Sequence, residues 1–306
     1  QPKDTNTRTE EQKRPQRPPT AHLVADVVLH SIESCHAPQD WADGQANQAD
    51  KNNGKDKCAA KRLVFTLDSF GSVATKVCIK HHPEEQAPYQ WGFTKYCSVT
   101  DGVLCATAIP QRVTNGGRGF LCEFLDQATA FPAMEWNPLF ANLQRAPDNL
   151  TAWLHNLHRR TRTILDTPEG RLSLRRKKGM QEGTSAGPGL FKRGFHHPTE
   201  RWAAELRATE IGRRGFVVYE NEEFWVDMNL FADDIMTTSI VDTPQEARDR
   251  DRHMEEAWVR HGAEYNMRQN VDKREALLRF VGLGALPKMV EAYQTHPPQL
   301  PVVNGR

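Results

Sequence analysis

From Gly119 onward, the order of apolar runs and polar breaks restricts the chain to very few topologies. Phe120-Leu121-Cys122-Glu123-Phe124-Leu125 is a short apolar run ending in Asp126, which reads as a buried strand carrying one carboxylate at its C-terminal edge. Asn137 to Leu157 has helical spacing interrupted near Pro147, a helix at Glu200 to Thr209 follows, and Gly215 to Tyr219 is extended. Phe224 to Phe231 and Ile235 to Ile240 are two extended runs separated by Ala232-Asp233-Asp234. They predict a β-hairpin whose tight turn presents adjacent acids. Thr243 as cap, Pro244 in the first helical position and Glu246 closing a capping box open a helix to Gly262. Ala247, Met254, Ala257, Trp258 and His261 fall on its inner side. Ala276 to Val281 supplies a last strand. Strand, helices, hairpin, helix, strand is the order of a split βαβ sheet, so the expected class is α+β. Its central strands are neighbours, which brings Asp126 and the Asp233-Asp234 turn to one edge.

The upstream part is less regular. Residues 1–20 hold four prolines, eight charges and no aliphatic or aromatic side chain, the composition of a disordered tail. Residues 42–61 read as a polar loop, while Leu23, Val27, Val28 and Ile32 give Ala21 to Cys35 a helical face. The chain opens on Gln1 rather than Met and is read as a piece of something longer. No apolar run reaches the 18 or so residues of a bilayer span, so no membrane partner is expected. Six cysteines, all at or before Cys122 and without a Cys-x-x-Cys pair, read as free thiols of a reducing, intracellular compartment, nuclear or cytoplasmic. Cys78, His81, His82 and Cys97 match zinc-ligand spacings poorly.

Forty basic and 39 acidic residues nearly cancel, so an anionic partner has to be argued from where charge sits. Arg159 to Lys178 carries eight basic residues against Asp166 and Glu169, a local charge of +6. Arg175, Arg176, Lys177 and Lys178 are its densest part and the candidates for nucleic-acid contact. Gly179 to Phe191 is rich in small residues, which lets backbone approach a ligand closely. No Gly-Lys-Ser/Thr follows, so it is not a Walker loop. Carboxylates converging from two strands suit hard divalent cations such as Mg²⁺. A pair of such ions serves in-line phosphoryl transfer.

Several segments together resemble one family. Phe124-Leu125-Asp126-Gln127-Ala128-Thr129-Ala130-Phe131 resembles the first catalytic motif of reverse transcriptases. Gly179 to Phe191 is similar to their Gly-Gln-Gly-x-Pro-x-Ser-Pro loop, and Phe231-Ala232-Asp233-Asp234 to their Tyr/Phe-Ala-Asp-Asp turn. Asn270-Val271-Asp272-Lys273-Arg274-Glu275 resembles the Asn-x-x-Lys-Thr-Glu stretch of non-LTR retrotransposon and group II intron enzymes, and Gln90-Trp91-Gly92-Phe93 their Gln-x-Gly-Phe signature. Pro38, Trp41, Lys51, Gly54 and Arg62 match the fingers, so the likeness spans Pro38 to Phe280.

The resemblance implies a polymerase palm with mostly helical fingers, acting as an RNA-directed DNA polymerase on an RNA template, a DNA primer and deoxynucleoside triphosphates. Asp126 and Asp233 would be the principal ligands of two Mg²⁺ ions, Asp234 would support them, and Lys273 would protonate departing pyrophosphate. Phe131 would be the steric gate against a ribose 2′-hydroxyl, or else simple core. Glu182 and Gly183 would lie beside the incoming nucleotide, and Lys51 and Arg62 would face its triphosphate. The implied division is a tail at 1–20, fingers at 21–118, palm at 119–285 and, at 286–306, the lead-in to a thumb that does not follow. Leu300-Pro301-Val302-Val303-Asn304 resembles the strand before the primer-grip hairpin. Glu182 replaces the family's glutamine, Ser185 and Leu63 replace prolines, and Pro132 replaces an aspartate. A carboxylate beside a triphosphate repels where an amide would donate. An alternative is therefore a catalytically silent palm that only binds nucleic acid or a protein partner. The Gly-Asp-Asp of viral RNA replicases and the Gly-Gly-Asp/Glu-Glu-Phe of nucleotide cyclases are both absent.

Overall fold

The computed structural model describes residues 19–50, 61–81, 89–143, 148–180, 184, 186–219 and 222–294. The N-terminal part contains α1 (Pro19–Glu33), α2 (Gln39–Ala42), β1 (Gly44–Asp50), β2 (Lys61–Leu67), α3 (Ser69–His81) and α4 (Val99–Asn115). Then come β3 (Phe120–Leu125), α5 (Ala130–Ala133), α6 (Trp136–Asn142), α7 (Asp148–Arg160), β4 (Arg162–Thr167), β5 (Gly170–Arg175) and α8 (Gly187–Ala208). The remainder is β6 (Phe216–Tyr219), β7 (Glu222–Trp225), β8 (Met228–Phe231), β9 (Asp234–Ile240), α9 (Pro244–Gly262), β10 (Glu275–Arg279) and α10 (Ala285–Gln294).

β10, β3, β9 and β8 form one sheet in that order, antiparallel throughout. This is the split βαβ arrangement, in which the first strand, β3, lies between the last, β10, and the second strand of the hairpin, β9. Leu125 pairs with Ile235 and Phe120 with Ile240. Strand alternation then gives each face its own core. Leu121 packs with Val241, Ala247 and Leu278, while Phe120, Cys122 and Met236 pack with Ala106 and Val113 of α4. Trp153, Trp202 and Trp258 are fully buried in the main core between the helices. Side chains of that class gain roughly 1.5–3 kcal/mol each by burial. The fold is α+β, a palm with largely helical fingers.

A second sheet has the order β2, β1, β4, β5. β1 runs antiparallel to β2 and parallel to β4, with Gly44 opposite Thr163. Residues 44–50 therefore form a strand, where composition predicts loop. Gly-Gln-Ala-Asn-Gln-Ala-Asp has little strand propensity, and its conformation is fixed by ladder bonds to two neighbours. This sheet draws strands from both sides of residue 118, and α4, from the fingers stretch, packs on the palm sheet. A division at 118 thus does not follow the sheets.

Other expectations are revised. α8 begins at Gly187, not Glu200, because Pro188 sits in the first turn, where a missing N–H is harmless, and Gly194 clears Leu139 and the Met134 thioether. The run 224–231 breaks into two strands of different sheets at buried Asp227. Arg207 on α8 holds that carboxylate with charge-assisted bonds of 3.3, 3.0 and 2.8 Å at the point where the chain changes sheet. Thr243 caps α9 by accepting from the Glu246 N–H at 3.1 Å, whereas the Glu246 carboxylate accepts from the Asp242 N–H, one residue short of a capping box. Pro19 and Thr20 belong to α1, and α10 occupies part of the stretch expected to lead into a thumb. Residues 1–18 and 300–304 lie outside the described residues.

Candidate active site

The acidic turn is built first by the β8–β9 register. Phe231 pairs with Asp234, leaving Ala232 and Asp233 as a two-residue turn in which Ala232 takes φ +59°. A non-glycine residue there needs outside support, and Gln90 supplies it. Its amide oxygen accepts from the Ala232 N–H at 3.1 Å and its amide nitrogen donates to the Ala232 carbonyl at 3.1 Å. The same oxygen accepts from the Gly92 N–H, and main-chain bonds of 2.8 Å tie Trp91 and Tyr89 to Leu230. Gly92 is required because a Cβ there would meet Ala232 Cα at 2.9 Å. Gln90-Trp91-Gly92-Phe93 is thus the clamp that holds the acidic turn in shape.

Asp126 follows β3 and is fixed by the segment 268–274. The Asn270 N–H donates to the Asp126 carbonyl at 2.8 Å, its side-chain amide donates to Asp126 Oδ2 at 3.1 Å, and Lys273 Nζ lies 2.8 Å from the same oxygen. The Ala128 N–H donates to the Arg268 carbonyl. Beneath them Arg274 pairs with Glu123, 2.6 Å away, and with Asp251. One short stretch therefore positions Asp126 from above and braces its strand from below.

The three acids act on one another electrically. Burial, then the charges of Asp234 and Asp126, hold Asp233 above the usual carboxylate range. Burial and Asp126 do the same to Asp234. Lys273 counters both, and its own ammonium is stabilised chiefly by the bond to Asp126. Asp126, Asp234 and Lys273 rim a cleft of about 480 Å³ floored by Val99 and Val103 of α4 with Phe124 and Phe231. Three carboxylates against one ammonium, all oxygen donors, have the chemistry to hold a hard divalent cation. Among the described residues no three His, Cys, Asp or Glu side chains are drawn together as a ligand cluster, and Asp126 Oδ2 is engaged by Lys273 and Asn270.

Phe131 stacks on Phe191 at 4.1 Å between ring centroids and meets Phe93 edge-on at 5.9 Å. It is half-buried, so it is both a core partner and a surface ring. The start of the small-residue loop docks beside it: the Met180 N–H donates to the Phe131 carbonyl and Trp136 Nε1 to the Gly179 carbonyl, both at 2.8 Å. Glu182, Gly183 and Lys51 lie outside the described residues. Arg62 sits on β2 opposite Ala49, in the second sheet. Arg175, Arg176, Lys177 and Lys178 end β5 and follow it; Arg176 lies over the Phe65 ring, and Lys178 is 4.0 Å from Glu135. Asp126, Asp234 and Lys273 are thus brought together at the cleft beside Asp233, and Arg175, Arg176, Lys177 and Lys178 line none of it.

Motif reading assigned Gln90 and Asn270 no role, and missed the Arg274–Glu123 pair. The signal for Gln90 is the Gln-x-Gly spacing itself, a polar side chain two residues before a glycine. Replacing Gln90 by leucine should slow any chemistry at the turn by about 10²-fold, the scale of a 1 Å misplacement. The accompanying loss of stability should be about 1–3 kcal/mol from unpaired Ala232 and Gly92 groups. Extension kinetics alongside a denaturant melt check both.

No protein-family model matches the sequence, and no curated protein matches it. Solved structures do. Apo telomerase from Candida tropicalis, truncated of its C-terminal domain, aligns with TM-score 0.55 at 10% identity over 81% of this chain and 52% of that one. Telomerase from Candida albicans, solved with a fragment of telomeric RNA, aligns with TM-score 0.54 at 9% identity over 84% and 46%. The chain spans about half the length of these structures. The fold of this chain is similar to that of these two telomerase structures.

Proposed function

We propose that the chain is the RNA-directed DNA polymerase domain of a retroelement, of the non-LTR retrotransposon or group II intron type, adding deoxynucleotides to a primer 3′-hydroxyl on an RNA template. The observation that carries this reading is the meeting of Asp126, the Asp233-Asp234 turn and Lys273 at one sheet edge. Asp126 and Asp233 would hold two Mg²⁺ ions with Asp234 in support. Bound there, the ions supply a lowered pKa for the attacking hydroxyl and charge neutralisation on the triphosphate. The chain's own groups do the rest. Asn270 orients Asp126, Gln90 fixes the turn, and Lys273, on release from Asp126, has a proton to give to the departing pyrophosphate. Phe131 would present a ring to the sugar, Glu182 and Gly183 would lie beside the nucleotide, and Lys51 and Arg62 would face its triphosphate from the fingers.

The Lys273–Asp126 ion pair also favours a second reading. A lysine seated on the first carboxylate supplies the positive charge an ion would bring, and Glu182 adds repulsion toward a triphosphate. A palm fixed in this state would bind nucleic acid or a protein partner without chemistry. Primer extension on an RNA template with Mg²⁺ and deoxynucleoside triphosphates separates the two. Metal-dependent addition of at least one nucleotide is expected. Firm template binding with no addition in Mg²⁺ or Mn²⁺ would select the silent palm.

A further inference from the structure

A second cavity, of about 380 Å³, lies where α6, α7 and the end of β5 meet, and it shares no lining residue with the carboxylate cleft. Its walls are Trp136, Asn137, His155, Arg159, Arg175 and Lys177, together with Arg176. Four permanent cations face one space with no carboxylate in the lining. Like charges grouped around one space repel one another. Such a grouping is at its best with an anion inside.

The rest of the basic run is already committed. Arg160 donates to the Ala37 carbonyl and to Gln39, Arg162 is forked onto Asp43, and Arg171 is paired with Asp166 at 2.8 Å. The side chains of Arg159, Arg175 and Lys177 have no carboxylate partner among the described residues' ion pairs. Arg175 is instead aimed, with its Nε and Nη2 both donating to the Arg159 carbonyl at 3.3 Å. Burial and the Arg159 charge lower the proton affinity of His155, so at neutral pH it offers an uncharged donor or acceptor beside the cations. The Trp136 wall is bonded to Gly179, so the pocket adjoins the root of the small-residue loop.

We propose that this pocket seats a phosphodiester group of single-stranded nucleic acid, the unpaired segment of a template strand. The volume of about 380 Å³ admits about one nucleotide, and Trp136 and His155 put aromatic rings in the wall beside the cations, the combination of groups that binds single strands, whose bases are free to stack. With Nε and Nη2 of Arg175 on the Arg159 carbonyl, the remaining Nη1–Nη2 edge is left to meet phosphate oxygens, and Arg159 and Lys177 add charge to the same pocket. The identity of the strand as template rests on the polymerase reading. The anion site itself does not.

The test is binding of a short single-stranded RNA to the whole chain, followed by fluorescence anisotropy across a salt series. With Arg175→Gln and Lys177→Gln together, affinity near 0.1 M salt should fall about tenfold. The slope of log K against log salt should become shallower by about 0.7, one single-strand phosphate contact. Both residues are exposed, so the thermal midpoint should not move. Arg171→Gln, on the same hairpin but neutralised by Asp166, should change binding far less. Equal losses from Arg171→Gln and from the double variant would mean diffuse attraction and overturn the pocket, as would no loss from the double variant. A duplex of the same length that binds as well as the single strand, with the same sensitivity to the double variant, would overturn the single-strand assignment. Pocket-dependent binding by a chain that extends no primer supports the pocket while counting against the polymerase.

Discussion

Asp233→Asn should lose about three orders of magnitude or more in primer-extension rate while melting no earlier than the parent chain. The first half follows from the proposed chemistry: a ligand of ions that stabilise the transition state by several kcal/mol is removed, and each 1.4 kcal/mol is tenfold in rate. The second half follows from the turn itself. Burial and the charges of Asp234 and Asp126 already disfavour the Asp233 carboxylate, so an uncharged amide of the same shape relieves repulsion in the protein without bound metal. The sign on pH is fixed by the same fact. A carboxyl whose folded pKa is raised binds more protons folded than unfolded, so its contribution to stability is fully present at low pH and is lost as pH rises through the raised value. Asp233→Asn should therefore flatten the mildly acidic limb of the stability profile, read from denaturant midpoints at successive pH values. A variant that loses both activity and stability would point to a structural turn rather than a strained catalytic one.

The parts legible in the sequence share a property: their residues report their own environment. The apolar run ending at Asp126, the paired acids between two extended runs and the Thr243-Pro244 helix start each carry a local signal, and all stand where it placed them. What stayed hidden depended on distant partners. Residues 44–50 become a strand only because β2 and β4 flank them. The first half of α8 is disguised by Gly187, Pro188, Gly189, Gly194 and Pro198; Pro188 is absorbed by its first-turn position and Gly194 by close packing on Met134 and Leu139. At the break, Asp227 is held by Arg207, twenty residues away. In the site the same division holds. The acids were visible as acids, but that Gln90 grips Ala232, and that Lys273 and Asn270 share one oxygen of Asp126, are tertiary facts with no periodicity to announce them.

Arg274→Met should destabilise the chain by about 3–5 kcal/mol, the scale of breaking a buried ion pair by removing one partner. Arg274 is 7% exposed and sits between Glu123, which has no exposed surface, and Asp251, with Glu255 3.3 Å away at the rim. Desolvation works against its charge, but the charges of Glu123 and Asp251 outweigh it and hold the guanidinium protonated. Glu123 is the weak member. Burial lifts its carboxyl well above the usual range, Arg274 pulls it back, and the charge of Asp251 adds to the lift. Without Arg274, Glu123 has to take up a proton to stay buried, so stability of the variant should fall steeply as pH rises toward and past neutrality, by up to about 1.4 kcal/mol per pH unit. Glu123→Leu on top of Arg274→Met should recover much of the loss, since two apolar groups need no counter-charge. The remainder measures what Asp251 loses. The consequence for the site is mechanical. Arg274, just before β10, ties this stretch to Glu123 on β3, three residues before Asp126, and immediately follows Lys273, so a loosened Arg274 frees the lysine and the carboxylate together. Extension by the single variant, assayed below its melting temperature, should therefore fall further than the unfolded fraction accounts for, and the double variant should restore stability ahead of rate.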